Sequence, residues 1–165
     1  MPGITLDNLD LRILGILQTD SAISNIELAD RVHTSPPTCL RRVKRLRELG
    51  VIQREIAILD HSKLGVTLTA IIEVSLDRQA AEDHERFETY ICEEPGVTQC
   101  YRVSPGPDFI VVAEVMDMAA YDEFARRLFS SSSNIRNVRT FFSTYRAKFE
   151  ANAPVRVLPG NVGAE

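Results

Sequence analysis

One stretch constrains this chain more than any other: Ser35-Pro-Pro-Thr-Cys-Leu-Arg-Arg-Val-Lys-Arg-Leu-Arg-Glu-Leu-Gly50. It reads as a single helix with both ends marked. Ser35 is an N-cap whose hydroxyl can accept from an amide of the first turn. Pro36 follows at N1, where the missing N–H is harmless and the fixed φ is already helical. Gly50 stands where a left-handed residue would end the helix. The spacing predicts an apolar side made of Pro36, Leu40, Val43 and Leu46, with Thr38, Arg41, Arg42 and Arg45 roughly opposite. Five of the seven residues from Arg41 to Arg47 are basic, and only Glu48 within the helix is acidic. A nearly unpaired row of guanidinium groups repels itself unless a polyanion neutralises it.

The chain upstream gives this helix a setting. Asp7 is the expected N-cap of a first helix, with Asp10 in its first turn and Leu9, Ile13, Ile16 and Leu17 on its inner side. Ser24-Asn-Ile-Glu27 reads as a capping box, in which Glu27 reaches back to the cap. The short helix that follows is expected to bury Ile26, Leu28, Ala29 and Val32. His33-Thr34 then turns into Ser35. Two helices joined by about three residues, the second cationic, match a helix-turn-helix, and the first helix completes a three-helix core. Beyond Gly50 the β-rich run Val51–Leu59 is expected as a strand or wing.

Charge is divided along the chain. Residues 1–65 carry nine Lys/Arg against eight Asp/Glu, and residues 66–165 carry ten against fifteen. A cationic helix in the front and an acidic rear suggest two jobs. We expect a DNA-binding domain over 1–60, a linker over 61–66, a second domain over 67–150 and a tail over 151–165. Cys39, Cys92 and Cys100 have no metal-ligand spacing, and no cofactor motif is visible. Without a signal peptide or an apolar run near ~18 residues, the expected location is a reducing cytoplasm, with no membrane partner.

The rear alternates between strand and helix. Thr67–Leu76 turns Leu68, Ala70, Ile72, Val74 and Leu76 to one face. A helix is expected from about Ala80 to Glu94, with Phe87 and Ile91 inward and His84 solvated. Val97–Val103 and Phe109–Met116 are strands around Ser104-Pro-Gly-Pro-Asp108. A second helix spans Ala119–Phe129, the serine run Ser130–Ser133 breaks the pattern, and Val138–Phe149 is a last strand. The order β-α-β-β-α-β is the ferredoxin-like plan, an antiparallel sheet with helices on one face. The other face would carry Ile71, Ile110, Val112, Met116 and Phe141, an apolar patch that a second copy of the sheet would cover. The fold class is therefore α+β: a winged helix-turn-helix domain followed by a ferredoxin-like domain.

The quoted motifs together resemble the Lrp/AsnC family of transcription regulators. The resemblance rests on Leu6-Asp-x-x-Asp10, Ile13-Leu14, Ser24-Asn25-x-Glu27-Leu28-Ala29, Ser35-Pro36-x-x-Cys39-Leu40-Arg41-Arg42-Val43-x-Arg45-Leu46 and Gly50-Val51-Ile52. In the rear it rests on Val103-Ser104, Asp108, Asp117-Met118 and Tyr121. It implies a regulator that binds double-stranded DNA, is dimeric through the rear sheet, and assembles further into octamers or similar rings. It also implies a small effector, usually an amino acid, bound between dimers near the hairpin loop. Ser104, Pro105, Gly106 and Asp108 are then effector candidates, with Thr140 and Ser143 from the last strand. Asp108 would hold an ammonium group. Pro105 stands where the family has glycine, and Pro105 and Pro107 remove two amide donors of the kind that hold a carboxylate.

On this reading the DNA surface lies on residues 35–45, Pro36 included. Thr38, Arg41, Arg42 and Arg45 would face the major groove, where Arg can pair with guanine. Asn25, Ser35 and Lys44 would hold phosphates. An architectural protein that wraps DNA with little specificity has the same pattern. Some haem-pathway decarboxylases resemble the same two-part family, but no catalytic constellation is visible here.

Overall fold

The computed structural model describes residues 4–65, 68–129 and 134–155. These divide into two compact units, one of residues 4–58 with 148–155 and one of residues 59–147. The serine run Ser130–Ser133 and the end of the tail lie outside the described residues.

The first unit holds three helices: α1 (Asn8–Leu17), α2 (Asn25–Arg31) and α3 (Pro36–Glu48). Each begins at a side-chain cap, Asp7, Ser24 and Ser35 in turn. The reciprocal capping box forms on α1, where Asp7 and Asp10 each accept the other's amide. On α2 the expected box is only half made. Ser24 accepts the Glu27 amide at 3.2 Å, while the Glu27 carboxylate turns away to Arg31 at 2.6 Å. The α2–α3 turn places His33 at φ 55°, and Gly50 ends α3 at φ 70°. The left-handed region is open to glycine and admits His at modest cost.

The core of this unit joins Ile13 to Leu28, Ala29, Val32, Cys39, Val43 and Leu46, all buried. Each large aliphatic side chain here contributes ~1.5–3 kcal/mol by burial. Three expected members are absent from it: Ile26 is 73% exposed, Leu40 57% exposed, and Pro36 is exposed as well. Val43 and Leu46 lie on the inner stripe of α3 as expected, and Cys39 takes the place expected for Pro36 and Leu40. The run after Gly50 forms no strand, and Ile56, Ile58 and Leu59 are exposed. The wing expected there is absent from the described residues of one chain. A strand needs a neighbouring edge to hydrogen-bond, and β-rich composition does not supply one.

The second unit opens with a 3₁₀ turn at His61–Leu64. It continues with β1 (Leu68–Leu76), α4 (Ala81–Cys92), β2 (Val97–Arg102), β3 (Phe109–Val115), α5 (Met118–Phe129) and β4 (Ile135–Phe142). The sheet order is β2-β3-β1-β4, antiparallel throughout. Alternate residues of β1 and β3 are buried with Phe87 and Ile91 of α4 and Phe124 and Leu128 of α5. Both helices therefore cover one face, as the plan requires. The other face carries Ile71 and Phe141, both exposed, with the half-buried Ile110 and Val112. The last strand differs from expectation: it starts at Ile135 and ends at Phe142, and residues 143–150 are neither helix nor strand.

Candidate nucleic-acid interface and effector region

The cations of α3 separate into two groups. Arg42 Nη1 lies 2.5 Å from Asp7 Oδ2 and 3.1 Å from Asp10 Oδ1. Arg45 Nη1 lies 3.2 Å from Asp10 Oδ2, and its Nη2 donates to the Thr5 carbonyl at 3.3 Å. Arg47 pairs with Glu55. The expectation of a nearly unpaired row is thus corrected, because the acidic partners come from α1 and from beyond the helix. Asp10 is 1% exposed and accepts from Asp7, Arg42 and Arg45. A carboxylate so buried is tolerable only when paired and hydrogen-bonded. Burial works to raise the Asp7 carboxyl, but the Asp10 amide and the Arg42 guanidinium outweigh it and hold it below the usual range. The hydrogen bond to Asp7 in turn raises Arg42 against the cost of its own burial.

The second group points away from the core. Arg41 and Lys44 are exposed on the side of α3 opposite Cys39, Val43 and Leu46. Lys44 stands 3.8 Å from Glu48, and among the described residues Arg41 has no ion pair. At the start of the helix the Ser35 hydroxyl accepts the Thr38 amide at 3.4 Å and donates to Thr38 Oγ1 at 2.9 Å. Asn25 Nδ2 donates to the Pro36 carbonyl at 3.0 Å, tying α2 to α3. Pro36 and Pro37 carry no N–H, so this helix end offers fewer amides to a phosphate than most.

The rear loop is built around Asp108. Its Oδ2 accepts the Leu76 amide at 2.7 Å and Gln79 Nε2 at 3.2 Å, and its Oδ1 lies 3.3 Å from His84 Nε2. Burial works to raise this carboxyl, but the Leu76 amide, His84 and Gln79 outweigh it and hold it below the usual range. His84 is not solvated: it is largely buried and meets Phe109 edge-on with ring centroids 5.6 Å apart. Ser104, Pro105 and Gly106 form the exposed lip, with a cis bond between Ser104 and Pro105.

Within one chain the candidate effector residues are not assembled. Thr140 faces α5 and shares a hydrogen bond with the Tyr121 hydroxyl. The Ser143 amide donates to the Thr69 carbonyl, whereas Asp108 anchors to Leu76. Those anchors are seven residues apart on β1, or about 23 Å along a strand. His84, expected in solvent, and Gln79, which no motif marks, both hold this loop. His84 does share its helix side with Phe87 and Ile91, at the spacing of an inward stripe. Sequence reasoning missed the matched spacing of Asp7-x-x-Asp10 and Arg42-x-x-Arg45, which brings four charges together.

Residues 6–53 match the model of a winged helix-turn-helix DNA-binding domain, and residues 69–152 match that of the Lrp/AsnC ligand binding domain. The leucine-responsive regulatory protein of Escherichia coli K12 is 36% identical over 85% of this chain and 85% of its own length. The DNA-binding transcriptional activator DecR of the same strain is 32% identical over 91% of this chain and 99% of its own. A transcriptional regulator from Neisseria meningitidis, solved as a complex with L-methionine, superposes with a TM-score of 0.85 at 30% identity, covering 92% of this chain and 97% of that one. The relatives are named as regulators and not as enzymes. With one family model on each unit and relatives aligned along most of its length, the chain belongs to the Lrp/AsnC family of transcription regulators.

Proposed function

We propose that this regulator reads DNA sequence-specifically with the outward stripe of α3, as a two-fold dimer, under the control of a small effector of the amino-acid class. The observation that carries the DNA reading is the division of the α3 cations. Arg42 and Arg45 are held against α1, while Arg41 and Lys44 are exposed. Arg41 is the base reader on this reading, with Thr38 beside it, since guanidinium pairs bidentately with guanine. Lys44 exchanges its exposed Glu48 partner for a phosphate at little cost. Arg42 and Arg45 present the helix rather than read with it, and Asn25 and Ser35 hold its first turn. One helix reads too few base pairs for useful specificity, so two are needed, about a helical turn apart or a multiple of it. The apolar sheet face of Ile71, Ile110, Val112 and Phe141 supports pairing with a second copy, and the further assembly of dimers into rings rests on the family alone.

The effector class is suggested by the Neisseria relative, whose structure holds L-methionine. In this chain the Asp108 carboxylate is already engaged, so it shapes the loop and does not meet an ammonium group directly. Of residues 104–107, only Ser104 and Gly106 carry an amide N–H. We assign them, with the Ser104 hydroxyl, to the effector's carboxylate; of the other candidates, Ser143 is anchored at the far end of β1 and Thr140 is engaged with Tyr121. The test is a titration of specific and random duplexes at fixed salt, with and without each of the twenty amino acids. A preference for specific DNA that one amino acid alters supports the reading. Equal affinity for all duplexes leaves the architectural role instead, and a response to no amino acid removes the effector class.

A further inference from the structure

The seam between α4 and β2 is held by contacts in strict order. His84 meets Asp108 of the loop, and one helical turn later Glu88 Oε1 accepts from Arg102 Nε at 2.8 Å. One turn further along α4 stands Cys92, and two residues back along β2 stands Cys100. The order follows from two repeat lengths. Four helical residues rise ~6 Å and two strand residues ~6.6 Å. With the helix and the strand running in opposite directions, the Glu88–Arg102 pair therefore sets Cys92 opposite Cys100. Cys92 is exposed at the last turn of α4, while Cys100 is half-buried on the helix-facing side of β2. One thiol is open to a reagent and the other waits beside it.

We propose that Cys92 and Cys100 form a reversible intrachain disulfide by exchange with a low-molecular-weight disulfide, tying α4 to the strand that leads into the 103–108 loop. The exposed Cys92 loses its proton to solvent and attacks one sulfur of the small disulfide. That S–S bond breaks, and the departing sulfur takes up a proton as a free thiol. Cys100, deprotonated in turn, attacks Cys92 Sγ and expels the second small thiol. Two protein thiols are oxidised to one disulfide, and one small disulfide is reduced to two thiols. Burial, then the neighbouring Cys92 and Glu88, push Cys100 up to about 11. The closing step is therefore slow at neutral pH and quickens as pH rises. The pair stays reduced until the oxidant persists. Cys39 is fully buried, its thiol is pushed up by that burial, and it serves as an internal control.

The experiment equilibrates the full chain with oxidised and reduced glutathione over a range of ratios, quenches with an alkylating agent, and digests after glutamate. Cleavage after Glu93 separates the two cysteines unless a disulfide joins them. The expected result is a Cys92–Cys100 linked species that loses two hydrogens, leaves Cys39 alkylated and is reversed by dithiothreitol. It is absent in both Cys92→Ser and Cys100→Ser. Cys92→Ser alters an exposed site, so the control does not depend on repacking the core. Glutathione retained on Cys92 with Cys100 free overturns the proposal, as does a cross-link between chains or full alkylation of both thiols at every ratio.

Discussion

Replacing Asp10 by alanine tests the division of the α3 cations directly. The buried carboxylate accepts from the Asp7 amide and from Arg42 and Arg45 at 3.1–3.2 Å. Removing one partner of a buried ion pair typically costs ~3–5 kcal/mol. Arg42 retains Asp7 and Arg45 is partly exposed, so the expected loss is about 2–4 kcal/mol. Asp10→Asn keeps the shape and one acceptor and is expected to cost about 1–2 kcal/mol. The assay is urea unfolding followed by two probes. The chain has no tryptophan, and its four tyrosines (90, 101, 121 and 145) all lie in the second unit. Far-UV circular dichroism records both units, so an early loss of helix without a tyrosine change marks unfolding of the first. Arg42→Ala should destabilise the same early phase, with a large coupling to Asp10→Ala in a double-mutant cycle. An Asp10→Ala midpoint within ~0.5 kcal/mol of wild type refutes the reasoning. So does an Arg42→Ala protein of unchanged stability that no longer binds DNA.

Arg41→Ala should leave stability within ~0.5 kcal/mol of wild type and weaken specific DNA binding by ~1–3 kcal/mol, with relaxed preference at one position per half-site; uniform weakening of all duplexes, with a salt slope smaller by about one, would reassign it to phosphate. Asp108→Ala strips the Leu76 amide, Gln79 and His84 of a shared acceptor and should cost the second unit ~1–3 kcal/mol by tyrosine fluorescence. Because Asp108 is held below its ordinary value, its contribution is complete above the unfolded pKa of ~3.9 and is lost as pH falls through the lower folded value. Acid titration should therefore destabilise wild type more than Asp108→Asn, and equal acid sensitivity would count against it. Phe141→Asp or Ile71→Asp on the open sheet face should shift sedimentation toward the monomer, and an unchanged sedimentation coefficient at micromolar concentration would remove that face from the interface.

What the sequence made legible is what short-range chemistry decides. Ser35 and Gly50 mark the ends of α3 because capping and a left-handed stop are local events. The alternation of β1 announced its buried face because a strand has a period of two. Long-range partners were not legible in the same way. Arg42 looked unpaired because Asp7 and Asp10 lie more than thirty residues earlier. Val43 and Leu46 were legible as the inner side of α3, but at its start the small Cys39 is buried where the larger Leu40 was expected. The run Val51–Leu59 has the residues of a strand but no neighbour to pair with among the described residues of one chain. His84 looked ordinary because its partner, Asp108, sits across a loop that folds back onto the helix.

The rear loop carries the argument one step further. Three donors on Asp108 fix the shape of this loop within one chain. The carboxylate closes the loop against β1 and α4, leaving Ser104 and Gly106 exposed on the lip. Ser143 lies at the far end of β1 from that lip, and Thr140, opposite Ile72, is engaged with the Tyr121 hydroxyl. Under the proposed function the remaining ligand contacts therefore come from a second chain. Effector affinity then depends on protein concentration, by mass action, until assembly is saturated. Calorimetry at several protein concentrations reads this directly. An effector affinity that stays constant while sedimentation shows dissociation would mean that one chain holds the whole site.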